Sequence, residues 1–131
     1  MKPILYKIYY KGACGPFLAY VGRTRNNLTA RIRQHFTGHV LMKSLNITSV
    51  SHIEYAEFET TADMYVAEIV FINILKPPLN VDDKAKDELT LNVDLSGIKW
   101  TLWDKPQLME KWKGDRRNDY SQPERETDSN F

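Results

Sequence analysis

The chain has 131 residues, 42% hydrophobic and 27% charged, a length and balance ordinary for one soluble globular domain and too short for two independent cores. No apolar run is long enough to span a bilayer, so no membrane partner is expected, and a single cysteine excludes an internal disulfide. The net charge of +1 conceals an asymmetry: residues 1–80 hold nine Lys and Arg against five acids, and residues 81–131 hold nine against twelve. An anionic partner is therefore expected at the N-terminal part.

The opening "MKPILYKIYYKG" is broken by lysines and carries no signal-peptide pattern. With Cys14 read as a small loop residue, a reducing, cytoplasmic setting is expected. "ILYKIYY" is rich in β-branched and aromatic residues and predicts a strand. "KGACGP" predicts a turn, and "FLAYVG" a second strand antiparallel to the first. Asn26 or Asn27 can cap a helix over residues 28–36, with Leu28, Ile32 and Phe36 as its core stripe. "HVLMKSLNI" is expected to add a second, shorter helix, and "SHIEYAEFE" a third strand. Thr60 or Thr61 can cap the next helix, which carries Asp63 in its first turn and stops before Pro77-Pro78. A charged connector follows, then a strand or hairpin around residues 89–93 and 98–102, with Trp100, Trp103 and Trp112 packing it back. The fold class expected is α+β, with a small, about three-stranded antiparallel sheet flanked by helices. Residues 1–80 would form the core, 81–114 an extension packed on it, and 115–131 a flexible tail.

Glu68 is the only charge in the apolar run from Tyr65 to Leu75. Helical spacing puts it on one face with Met64, Phe71, Ile72 and Leu75. A carboxylate there is costly unless it is paired, metal-bound or opened to a cleft. It could equally be a helix-edge residue that reaches water, or a structural partner for an arginine. Residues 19–36 supply four arginines, one histidine and no acid. Arg31 and His35 are four apart and share one helical face, beside the apolar stripe. Arg23 and Arg25 precede the helix, whose N-terminus favours anions. A solvated basic face and a phosphate-binding patch both fit that cluster. Tyr6 and Tyr20 on the first two strands would ordinarily be packing residues. His39 and His52 have no evident partner in the sequence.

Together these segments resemble the GIY-YIG nuclease family. "ILYKI" is similar to that family's first motif, with Tyr6 as its tyrosine, and "AYVG" to the second, with Tyr20 and Gly22. "ARIRQHF" is similar to the helix that carries the family's arginine, Arg31, and a histidine one turn on, His35. "VAEIVFINILKPPLN" resembles the glutamate helix and its exit, with Glu68 and Asn80. The likeness covers about residues 3–80 and departs in two places. Ile4 stands where the first motif has a glycine, and the loop holding Gly12, Gly15 and Pro16 is long.

The resemblance implies a divalent-metal-dependent endonuclease that hydrolyses phosphodiester bonds in DNA, double-stranded or branched. It implies one Mg²⁺ or Mn²⁺ held by Glu68, with Arg31 clamping the phosphate. It implies a tyrosine base, Tyr6 with His35 relaying its proton or, in the reverse assignment, Tyr20. An ordinary tyrosine ionises near ~10, so base work needs a cation close by. Gly22 and Asn80 would order the site, and Arg23, Arg25, Arg33 and Lys43 would contact the DNA backbone. The alternative is a non-catalytic nucleic-acid-binding module of the same fold. The Trp-rich, acidic C-terminal part would suit a homodimer contact or a protein partner.

Overall fold

The computed structural model describes residues 2–37, 45–80 and 89–120, with side chains to Lys113. It is α+β, with one antiparallel sheet of four strands and three helices. The elements are β1 (Ile4–Tyr10), β2 (Phe17–Thr24), α1 (Leu28–Thr37), β3 (Val50–Glu57), α2 (Thr61–Leu75), β4 (Thr101–Leu102) and α3 (Pro106–Tyr120). The chain divides into two compact units, Met1–Leu28 with Ser49–Trp103, and Thr29–Thr48 with Asp104–Phe131.

The first unit is built on the sheet, in the order β2-β1-β3-β4. β1 is a central strand because its residues are apolar on both faces: Leu5 and Ile8 are buried on opposite sides. It pairs with β2 through Leu5 opposite Arg23, Tyr6 opposite Gly22 and Ile8 opposite Tyr20. Side chains alternate, so Tyr6, Ile8, Tyr20 and Gly22 stand on one face, and Leu5, Lys7, Val21 and Arg23 on the other. α2 covers the second face, where Met64, Ala67 and Ile72 pack on Leu5 and Val21.

Both ends of α2 follow their local chemistry. The Thr60 side chain accepts from the Asp63 amide at 3.0 Å, and Asp63 lies in the first turn. At the other end Lys76 is left-handed, with φ 46° and ψ 60°, and its N–H donates to the Ile72 carbonyl. Pro77 and Pro78 then prevent continuation.

The segment after residue 88 departs from the expected pattern. The stretch 89–93 is not a strand, and only Thr101–Leu102 joins the sheet, beside Tyr55 and Glu54. That short β4 makes the sheet four-stranded rather than three. Leu95, Ile98 and Trp100 do pack against the core, with Trp100 edge-on to Phe71 at 5.5 Å. The Lys7 ammonium sits 3.9 Å from the centre of the Trp100 ring, and burial among these rings pushes its pKa down despite Glu54.

The second unit holds α1 and α3. Ile32 and Phe36 are buried as the stripe predicts, and Phe36 meets Trp112 of α3 at 6.5 Å between ring centres. α3 extends to Tyr120, so residues 115–120, expected in a tail, are helical. Only a 3-10 turn, Ile47–Ser49, is seen at the end of the expected short helix. The remainder of that helix, the connector 81–88 and the tail 121–131 lie outside the described residues. Among the described residues no helix is long and apolar enough to cross a membrane.

Candidate active site

Tyr6 and Tyr20 are gathered on one face at the β2 edge, with ring centres 6.4 Å apart. Tyr6 is fully buried, and its ring tip lies close against Gly22, its register partner. A Cβ at position 22 would stand 2.5 Å from both Cζ and the hydroxyl of Tyr6, and 2.8 Å from Cε2 of Tyr20. Glycine is required there by close approach: only a bare backbone leaves room for the Tyr6 hydroxyl.

Asn80 caps the same edge. Its Oδ1 accepts from the Val21 amide at 2.8 Å, and its Nδ2 donates to the Val21 carbonyl at 2.9 Å. The side-chain amide thus pairs with β2 as one peptide of a neighbouring strand would. The Leu79 amide extends the pairing to the Ala19 carbonyl at 3.0 Å. The chain leaving α2 is thereby tied to the residues on either side of Tyr20. Asn80→Ala is expected to cost about 1–3 kcal/mol, because both Val21 backbone groups lose their partners. The checks are a urea titration and faster amide exchange at Val21; unchanged exchange there would deny the strap.

Glu68 faces β2 from α2, on the opposite side of the sheet from the tyrosines. Its side chain is 5% exposed, and both carboxylate oxygens accept from Nη1 of Arg23, at 2.8 and 2.9 Å. Arg23 is 39% exposed and rests its guanidinium 4.9 Å from the centre of the Tyr65 ring. Burial alone would lower the Arg23 pKa, but the Glu68 charge and hydrogen bonds, with Tyr65, outweigh it and raise it. Arg23, expected at the DNA backbone, is paired with Glu68 and remains part-exposed. Strand alternation carries the signal for this, since Arg23 and Val21 share the α2 face while Tyr20 and Gly22 share the other.

Arg31 and His35 belong to the second unit. His35 is 1% exposed, so it is a buried residue and not a solvated one. The Arg31 Nη1 donates weakly to Gln34 at 3.4 Å, and its Nε is buried with no hydrogen-bond partner among the described residues. Arg25 and Arg33 are exposed, and Lys43 lies outside the described residues. His52, without an evident partner in the sequence, stacks on Tyr9 at 4.4 Å and meets the Ser51 hydroxyl at 3.0 Å. His39 lies outside the described residues.

Among the described residues no three His, Cys, Asp or Glu side chains cluster as a metal cage. Glu68 is a hard oxygen donor of the kind Mg²⁺ accepts, and Mg²⁺ commonly takes one or two carboxylates and fills its shell with water and phosphate. The donor type fits, with Arg23 on the same oxygens. No family model, curated protein or solved structure matches this chain.

Proposed function

We propose that this chain is a divalent-metal-dependent endonuclease of the GIY-YIG type, hydrolysing phosphodiester bonds in DNA. One observation carries the reading. A buried acid, Glu68, stands in the otherwise apolar α2 and is held to β2 through Arg23. An apolar helix does not need an acid. The order β-β-α-β-α over residues 4–75 supports the same fold.

Glu68 would hold one Mg²⁺ or Mn²⁺, which supplies charge neutralisation at the phosphoryl oxygens and a more acidic water. The resemblance assigns the base to Tyr6, which is fully buried with its hydroxyl close against Gly22. Tyr20 then orients water or phosphate, and the reverse assignment exchanges the two. The family resemblance assigns Arg31 as the phosphate clamp, and its Nε has no hydrogen-bond partner among the described residues. The family resemblance assigns His35 the relay of the tyrosine proton. Asn80 holds the backbone between Tyr20 and Gly22. Arg25 and Arg33 contact the DNA backbone, with Lys43 assigned the same role by the family resemblance.

The Arg23–Glu68 pair favours a second reading, a nucleic-acid-binding module in which the acid is structural. Incubation with supercoiled, linear and branched DNA in Mg²⁺ or Mn²⁺ separates the two. The nuclease reading expects nicking by the unchanged chain. It also expects a loss of about 10²–10³ in rate for Arg31→Ala, the usual size of one transition-state contact. DNA binding without any nick, on all three forms and in both metals, would leave only the module.

A further inference from the structure

The acid that would hold the metal is already held by a cation. Both Glu68 oxygens accept from the same Arg23 nitrogen, at 2.8 and 2.9 Å. The two partners differ in freedom: Glu68 is 5% exposed, whereas Arg23 is 39% exposed and lies against Tyr65 at the surface of α2. The glutamate is fixed, and the arginine is the member able to turn outward.

We propose that Arg23 is a latch on Glu68, competing with a divalent cation for the same two carboxylate oxygens. The inference rests on the nuclease reading above. A guanidinium and a divalent ion cannot both be neutralised by one buried carboxylate, and the excess positive charge would be costly there. The exchange becomes favourable when a second anion takes the displaced guanidinium. A DNA phosphate does this well, because it accepts the same paired N–H donors as a carboxylate. Metal loading is then coupled to phosphate arrival: each ion pair is exchanged for another, and Arg23 moves from the protein's acid to the substrate's. The chain without DNA is a weak metal binder, which restrains metal-driven reaction until a backbone is engaged. Arg23 is in this account a positioning residue that acts through Glu68.

The test is DNA-free and uses Mn²⁺ alone, with free ion counted by electron paramagnetic resonance. Arg23→Gln should bind Mn²⁺ about tenfold more tightly than the unchanged chain, since a competing cation has been removed. Glu68→Gln should lose that binding. Equal or weaker affinity in Arg23→Gln, or affinity retained in Glu68→Gln, overturns the latch. A second measurement needs no variant and covers the case in which Arg23→Gln does not fold. In the unchanged chain, Mg²⁺ titration should shift the Arg23 guanidinium ¹⁵N signals together with the Glu68 amide. Movement at Glu68 without change at Arg23, or no change at either, contradicts the proposal. A chain that nicks DNA but fails these tests keeps the nuclease and loses only the latch. A chain that passes them but never nicks keeps the latch and loses the nuclease.

Discussion

Gly22→Ala is expected to lower stability by about 1–3 kcal/mol, the usual cost of forcing atoms into a filled space, and to reduce cleavage far more than stability. The added Cβ would meet the Tyr6 hydroxyl carbon and oxygen at 2.5 Å and the Tyr20 ring at 2.8 Å. These are ring atoms, not the ends of flexible chains, and Tyr6 is fully buried. Relief must come from moving the ring or parting β1 from β2, and either shifts the tyrosine hydroxyl. A misplacement of about 1 Å can cost about 10²-fold in rate. Gly97 is the control: a Cβ there meets nothing within 4 Å, so Gly97→Ala should leave both quantities nearly unchanged. Urea titration and single-turnover cleavage check both arms. A Gly22→Ala chain as active as the unchanged one would show that tyrosine placement is irrelevant.

The second large effect is an asymmetry within the ion pair. Arg23→Gln should destabilise by about 3 kcal/mol, toward the low end for a broken buried pair, because it leaves a carboxylate that is 5% exposed without its cation. Glu68→Gln should cost about 1 kcal/mol or less, because the guanidinium left behind is 39% exposed and turns to water. Chemical denaturation of the two variants gives the comparison. Equal losses would mean that Glu68 reaches solvent as easily as Arg23 does.

Much of this was legible in the residues. The strands β1, β2 and β3 announce themselves by β-branched and aromatic runs bounded by turn residues. The cap at Thr60, the favourable Asp63 and the stop before Pro77 are local signals, satisfied by local hydrogen bonds. The oddity of Glu68 was also visible, because burying an acid always needs a partner. What the sequence left open was which arginine would answer it. Strand alternation puts Arg23 on Val21's side of β2, but that this side meets Glu68 depends on how α2 packs on the sheet, which no local spacing rule contains. The Asn80 strap is likewise a contact across fifty-nine residues, invisible to local patterns. α3 was missed for a different reason. Pro106 is a favourable first helical residue, and Leu108, Met109 and Trp112 give one apolar side, but Gly114 and the polar run after it dilute the period. β4 has two residues and owes its strand state to β3 alone.

The central claim is metal-dependent strand cleavage that requires the Glu68 carboxylate. Single-turnover cleavage of supercoiled plasmid by the unchanged chain and by Glu68→Gln tests it most directly. Glutamine keeps the shape of the side chain and removes its charge. The account predicts nicked product in Mg²⁺ or Mn²⁺, none in EDTA, and a rate lower by about 10³ or more in Glu68→Gln, as expected when a metal-holding group is lost. Cleavage of equal rate by the two chains, or cleavage that persists in EDTA, would contradict it.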